Sequence, residues 1–288
     1  MPRWTTAGTA LALLVAACVP ATAPTTTSAT PPTTTTTLPV TTTTAAKAGG
    51  CPGEGAFKEG GRVAQIPQPG SDATTLGQIS WDASENCEVF TFTFETAEGA
   101  PATTPPSVRV GHLDTFQILR IYLDVDATTI TDQLVETELV ERLFVVRALD
   151  GGMFVDLHLA APAQARVKLN RSPASLTLYL EPGKISFNGT ATVGDLVVVT
   201  SPPSGTEEDS PVTVRGYSRT FEANVLFIAT AGDEIVAETF TTAADWAETW
   251  GEFRVSMVLE PGEISLFVGE ESPRDGTLEG VTISLVVR

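Results

Sequence analysis

Apolar and polar residues alternate with a period of two along most of the chain after residue 87, and this pattern constrains the fold most. In the segment 87–96, Phe90, Phe92 and Phe94 alternate with polar residues. Such a period places successive side chains on opposite faces of a β-strand, so it predicts strands with one buried face. Turn sequences such as 150–152, Asp-Gly-Gly, separate the segments. We therefore expect an all-β fold.

The alternating segments fall into two runs, which predicts two β-sandwich domains. A first run ends near residue 181, and a second run of seven short segments begins at Asp195. Seven short strands joined by turns are typical of an immunoglobulin-like sandwich. The small, polar stretch 184–194 separates the runs. We therefore assign residues 51–186 to the first domain and 195–288 to the second.

Three features of the sequence lead to more specific structural expectations: one helix-like segment, one histidine and two tryptophans. Residues 127–142 are the only helix-like stretch of any length in the first domain, and their β-branched residues leave helix and strand both open. His158 lies on the polar face of its predicted strand, so we expect a solvated surface histidine. Trp246 and Trp250 are expected in a loop or short helix that covers one end of the second sandwich.

The amino terminus predicts export and a lipid anchor. Residues 1–17 combine Arg3 with a short apolar run, which has the length and flanks of a secretory signal peptide. The ending Val-Ala-Ala-Cys resembles a bacterial lipobox, which implies cleavage before Cys18 and lipid attachment to it. An ordinary signal peptide cut nearby is the alternative. Residues 18–50 are rich in Thr and Pro, so we expect an extended stalk.

The remaining two cysteines form an even pair, Cys51 and Cys87. In an oxidising compartment such a pair is expected to form a disulfide. The chain-entropy model gives such a bridge about 4 kcal/mol of stabilisation. The cysteine spacing and the two histidines of the chain are a poor supply of zinc ligands. We expect no metal and no cofactor, and we read acidic pairs such as Glu270-Glu271 as solvated turns rather than calcium ligands.

The charge of the chain limits its partners. The formal net charge is −18, and residues 1–50 contribute only Arg3 and Lys47. A surface this acidic repels nucleic acid, so we expect no nucleic-acid partner.

Residues 197–288 resemble the immunoglobulin-like domain of bacterial spore germination. The matching text includes VTSPPSG at 199–205, SPVTVRGYSRTFEANV at 210–225 and ESPRDGTLEGVTISLVV at 271–287. The most distinctive positions of this family motif are Phe221, Glu222, Asp275 and Gly276. The resemblance implies an exported envelope protein, and no enzyme activity attaches to the family.

Residues 106–182 resemble the AMIN-like domain of actinobacterial lipoproteins, on the text VRVGHLDTFQILRIYLD at 108–124 and the segment 151–183. The related AMIN domain is a β-sandwich that helps to localise cell-wall amidases. The resemblance therefore implies contact with peptidoglycan or with a partner at the wall.

Candidate binding residues cluster near one strand end in this first domain: Arg109, His112, Asp114 and Arg120. Arginine recognises carboxylates by paired hydrogen bonds, and peptidoglycan stems carry carboxylates. The alternatives are a turn with local hydrogen bonds for His112, and exposed pairs of the two arginines with Asp124 and Asp114, which contribute little.

The sequence predicts a non-catalytic protein on the outer face of the cell membrane. Motifs of nucleophilic, metal and phosphate chemistry are absent from the sequence. We expect its β-sandwich modules to bind cell-wall glycan or an envelope protein partner. The alternative is a structural accessory lipoprotein of a germination- or division-type envelope complex that binds no glycan.

Overall fold

The computed structural model describes residues 50–113, 117–185 and 189–288. These residues fall within one compact unit. The predicted signal peptide 1–17, Cys18, nearly all of the stalk and Asp114 lie outside the described residues.

The described residues form twenty β-strands and one short 3-10 helix, Phe221–Ala223, so the predicted all-β fold is confirmed. Eleven strands precede the segment 183–191: β1 (Arg62–Ile66), β2 (Thr75–Ser84), β3 (Cys87–Glu95), β4 (Val108–His112), β5 (Ile118–Leu123), β6 (Ala127–Thr128), β7 (Asp132–Leu134), β8 (Val140–Arg147), β9 (Met153–Leu159), β10 (Ala163–Asn170) and β11 (Ser175–Pro182). Nine strands follow it: β12 (Thr192–Val193), β13 (Val197–Ser201), β14 (Thr206–Glu208), β15 (Val212–Ser218), β16 (Asn224–Ala231), β17 (Glu234–Thr242), β18 (Trp250–Met257), β19 (Gly262–Glu271) and β20 (Leu278–Val287).

The first half of the fold is a sandwich of two sheets. One sheet has the strand order β10-β11-β3-β2-β6, and the facing strands run β1-β4-β5-β9-β8, with β7 paired to β8. The alternation in β3 buries Phe90, Phe92 and Phe94 in the core between the sheets. The ambiguous stretch 127–142 contains strands β6 and β7 and the start of β8 rather than a helix.

The second half is also a sandwich. Its outer sheet has the order β14-β20-β19-β16-β17, and its inner strands run β18-β15-β13-β12. Val214, Phe227, Phe253 and Leu266 lie in the core between these sheets. The seven predicted strands of this half correspond to β13 and β15–β20.

One sheet continues through both halves. Strand β8 of the first half pairs in parallel with β18 of the second, through Val146 opposite Trp250 and Arg147 opposite Gly251. A buried aromatic cluster lies over this joint, with the Phe144 ring centroid 5.2 Å from that of Tyr217 and 5.0 Å from that of Trp250. The two halves therefore share hydrophobic core as well as backbone hydrogen bonds.

Polar contacts supplement this joint. Thr249 donates from its hydroxyl to the Val145 carbonyl at 2.6 Å. Arg147 forms ion pairs of 3.0 Å with both Asp245 and Glu248. Trp250 begins β18 inside the joint, so the expectation that it lies in a loop or short helix over one end of the sandwich was wrong.

Strands β5 and β9 are buried on both faces, which corrects the expectation of half-buried strands. The face that carries Asp156 and His158 is covered by the second half of the protein. His158 is only 9% exposed, and its Nε2 lies 2.6 Å from the Tyr217 hydroxyl oxygen. The expectation of a solvated surface His158 was therefore wrong, because alternation alone does not distinguish water from a second domain.

A disulfide joins Cys51 to Cys87 at the start of the described chain, with the two Cα atoms 4.9 Å apart. It attaches segment 50–58 to β3. Arg166 holds the same segment by donating to the carbonyls of Pro52 and Glu54. The first described residues are therefore fastened covalently to the first sandwich.

Candidate functional site

The predicted candidate residues lie around a shallow hollow on the face of strands β1, β4 and β5. We call it the Arg109 hollow, and its volume is about 210 Å³. It is lined by Gly61, Arg62, Arg109, Val110, Gly111, His112, Leu113, Arg120 and Tyr122. The structure thus brings together three of the four predicted residues, and Asp114 lies outside the described part of the chain.

Arg109 is an exposed cation of this hollow, and its guanidinium stacks on the Tyr122 ring. The Arg109 guanidinium carbon lies 3.9 Å from the centre of the Tyr122 ring. Such a stack attracts a cation to the ring face and leaves the N–H edge free to donate hydrogen bonds. Within the described residues, Arg109 forms no ion pair. The alternative of a pair between Arg109 and Asp124 is therefore not what the structure shows.

Arg62 is a second exposed cation at the Arg109 hollow, and sequence reasoning missed it. Strand β1 places Arg62 opposite Gly111 of β4. None of the described residues that line the hollow is acidic. The neighbouring hollow on the other side of Arg109 is lined in part by Asp124 and Asp150. An anion is therefore favoured on the Arg62 side of Arg109.

Arg120 is buried and forms an ion pair with Asp156 inside the protein, which corrects its assignment as a ligand-binding residue. Its Nε and Nη2 atoms each donate to Asp156 at 2.7 Å, and the two side chains are 10% and 0% exposed. Burial alone would lower the pKa of Arg120, but the carboxylate of Asp156 raises it above its ordinary value. Arg120 also donates to the Tyr122 hydroxyl at 3.4 Å, so it positions the ring under Arg109.

His112 is buried at the floor of the Arg109 hollow, at the end of a strand rather than in a turn. It ends strand β4, and its backbone amide donates to the Gly61 carbonyl at 2.9 Å. Burial lowers the pKa of its imidazole, although a backbone hydrogen bond with Lys58 and the charge of Glu59 oppose this. The ring is therefore neutral at neutral pH and adds no charge to the hollow.

The family-motif residues meet at a different place, a groove at one end of the outer sheet of the second half. We call it the Phe240 groove, and its volume is about 500 Å³. It is lined by Phe221, Glu222, Asn224, Leu226, Glu238, Phe240, Glu270, Glu271, Ser272, Pro273 and Gly276. Three of the four motif residues, Phe221, Glu222 and Gly276, therefore border one surface, and Asp275 directly precedes Gly276 in the chain.

A tight turn shapes the groove beside Gly276. Asp275 accepts hydrogen bonds from the Thr277 amide at 3.2 Å and hydroxyl at 2.7 Å, which lower the pKa of this carboxyl. Gly276 has a φ of +74°, in the left-handed region that favours glycine, and its amide donates to the Ser272 carbonyl at 2.9 Å. These two motif residues therefore hold the turn that forms one wall.

Two features are absent from the described residues. No cluster of three or more His, Cys, Asp and Glu side chains among them is arranged to hold a metal ion. In the same part of the chain, no helix has the length and apolar character needed to cross a membrane.

Residues 196–277 match the model of a family described as the immunoglobulin-like domain of bacterial spore germination. The match covers most of the second half, including all four motif residues, and confirms that resemblance for this segment. The AMIN-like resemblance of residues 106–182 and the lipoprotein signal stay predictions. No curated protein and no solved structure matched the chain.

Proposed function

We propose that this chain is a non-catalytic cell-envelope protein, held on the outer face of the membrane by lipid on Cys18, that binds carboxylate groups of cell-wall peptidoglycan. The family match of residues 196–277 supports the envelope setting. The signal sequence and the Thr- and Pro-rich stalk support an anchor and a spacer.

The Arg109 hollow is the observation that carries the binding proposal. It presents Arg62 and Arg109, with no acidic residue among its described lining, on a protein whose net charge is −18. An acidic protein approaches a carboxylate-bearing polymer only where cations are concentrated. The stack of Arg109 on Tyr122 holds the guanidinium in place before binding, which lowers the entropy lost when it binds a carboxylate.

The size of the hollow favours a terminal group over a whole saccharide. A volume of about 210 Å³ lies below the roughly 300–1,000 Å³ of typical small-molecule sites. It accommodates a carboxylate and the few atoms next to it, such as the end of a stem peptide. The hollow is therefore expected to recognise the peptide part of peptidoglycan rather than its sugar chain.

Non-catalytic function fits the roles of the buried ionisable groups. Arg120 and Asp156 pair with each other, and His158 contacts Tyr217 across the joint between the halves. These side chains are therefore engaged with one another inside the fold rather than presented to a substrate.

A binding assay with purified peptidoglycan tests the proposal. The full chain is solubilised in detergent, and the fraction bound is measured against peptidoglycan concentration. Arg109→Glu and Arg62→Glu should each weaken binding by about tenfold or more, because each removes charge-assisted hydrogen bonds. Arg254→Glu is the matched control, since Arg254 is exposed on the second half.

Two results would contradict the proposal. Equal losses in the Arg254→Glu control would indicate a general charge effect. No binding by the unaltered chain would favour the alternative of an accessory envelope protein that does not contact peptidoglycan.

A further inference from the structure

The Phe240 groove has an exposed apolar floor. Phe240 lies on the edge strand β17 and is 69% exposed, and it pairs in register with Leu226 of β16. Phe221 is 50% exposed and packs edge-on against Trp246, with ring centroids 5.6 Å apart. Large exposed aromatic side chains that adjoin a concave surface mark interaction sites on soluble proteins.

Glutamates surround this floor: Glu222, Glu238, Glu270 and Glu271. None of them forms an ion pair with another described residue. The nearby cation, Arg274, has a side chain that is 89% exposed and lies 3.7 Å from Asp275. Four carboxylates beside an apolar floor create a strongly negative potential, because the low-dielectric surface focuses the field.

The walls of the groove are held in place before any partner binds. Glu222 and Ala223 have φ of 54° and 60°, and hydrogen bonds from Ala223 N to Thr220 O and from Ala243 N to Ala223 O fix this turn. The Phe221 amide donates to a carboxylate oxygen of Glu270. A surface fixed in this way loses little conformational entropy on binding.

The loop that carries Trp246, whose ring packs against Phe221, is held in place as well. Asp245 accepts hydrogen bonds from the amides of Trp246 and Ala247 at 2.6 and 3.0 Å. It also pairs with Arg147 of the first half. Although burial alone would raise the pKa of Asp245, the hydrogen bonds from Arg147 and the backbone amides lower it. The loop is therefore held by a charged carboxylate at neutral pH.

We propose that the Phe240 groove binds a basic segment of a partner polypeptide, whose Lys or Arg side chains face the glutamates and whose apolar side chain packs on Phe240 and Phe221. Charge complementarity selects a cationic occupant, and the aromatic floor selects one that also carries an apolar group. The proposal is independent of the Arg109 hollow, which lies on the first half of the fold and favours an anion.

A peptide of defined sequence tests the proposal. The probe is a dye-labelled peptide that repeats Lys-Phe-Gly, and its counterpart repeats Glu-Phe-Gly. Binding to the detergent-solubilised full chain is followed by fluorescence anisotropy. The basic peptide should bind and the acidic peptide should not, and added salt should weaken the binding.

Variants at exposed positions localise the binding to the groove. The double variant Glu238→Gln with Glu271→Gln and the single variant Phe240→Ser should each weaken binding by about tenfold. Glu98→Gln and Val258→Ser are matched controls, because both positions are exposed and neither lines the groove. All variants should keep the melting temperature of the unaltered chain.

Three outcomes would overturn the proposal. In the first outcome, the basic peptide fails to bind the unaltered chain. In the second outcome, it binds equally to the unaltered chain and to both groove variants, which would assign the binding to acidic surface in general. In the third outcome, sedimentation shows self-association that Phe240→Ser abolishes, which would assign the groove to a second copy of this chain.

Discussion

Acidification should destabilise the protein through His158, the buried histidine at the joint between the halves. Burial lowers the pKa of this imidazole from 6.5 to about 4. Of its charged neighbours, Asp156 raises the pKa, whereas Arg142 and Arg120 lower it. The hydroxyl of Tyr217, whose own pKa burial raises well above its usual value, lies 2.6 Å from Nε2.

The sign and size of the effect follow from these pKa values. The unfolded chain takes up the His158 proton near pH 6.5, and the folded chain only near pH 4. The free energy of unfolding is therefore fully retained above pH 6.5 and falls as the pH decreases towards 4. A difference of about 2.5 pH units corresponds to about 3 kcal/mol, which is a large part of the stability of a typical domain.

Urea unfolding between pH 4 and pH 8, followed by tryptophan fluorescence, measures this dependence. Trp250 lies in the same buried cluster as Tyr217, so it reports on the joint. His158→Gln keeps a hydrogen-bonding side chain but does not titrate. The difference in unfolding free energy between the unaltered chain and this variant should change by about 3 kcal/mol over the pH interval. A pH-independent difference would refute the assignment of a buried neutral His158.

Three further predictions concern the internal pair, the disulfide and the anchor. Asp156→Asn should lower the free energy of unfolding by about 3–5 kcal/mol, because it leaves the Arg120 charge buried without a partner; a loss below about 1 kcal/mol would mean that water replaces the carboxylate. Reduction of the Cys51–Cys87 bond should lower it by about 4 kcal/mol in the chain-entropy model, and an unchanged urea midpoint after reduction would contradict this. Cys18→Ser should release the protein from the membrane fraction, and mass spectrometry should find acyl chains on the unaltered chain alone; membrane retention of the variant would count against the lipid anchor.

The sequence predicted the strands well wherever one face of a strand meets a core and the other meets water. Strand β3 is the clearest case, because its three phenylalanines lie in the core and the residues between them are partly exposed. The same pattern gave a wrong prediction for β9, because the apparently polar face, which carries Asp156 and His158, is buried. Alternation shows only that one face of a strand carries polar residues. A face that carries a buried ion pair therefore has the same sequence pattern as a face exposed to water.

A signal for the hidden joint was nevertheless present in the sequence. Tyr122 and Phe154 lie on the same apparently polar faces as Arg120 and Asp156. Large aromatic side chains at alternate positions with charged residues are unusual on a solvated sheet face and common in interfaces. The pairing of Arg120 with Asp156 depends on the register of β5 with β9, which local sequence does not specify.

The candidate sites were predicted in part for the same reason. Arg109 and His112 were found because they are close in sequence, whereas Arg62 was missed because β1 joins the hollow from a poorly patterned segment. The Phe240 groove forms because the start of β16 and the turn between β19 and β20 lie at the same end of one sheet. The sequence singled out both motif runs, but only the fold brings them together.

The most direct measurement of the proposed function is the affinity of the full chain for purified peptidoglycan before and after chemical amidation of its carboxyl groups. Amidation removes the negative charge that Arg62 and Arg109 are expected to bind, while the sugar chain stays unchanged. We predict that amidation weakens binding by about tenfold or more and that Arg109→Glu then causes little further loss. Undiminished binding to amidated peptidoglycan would contradict the claim that the Arg109 hollow recognises carboxylates.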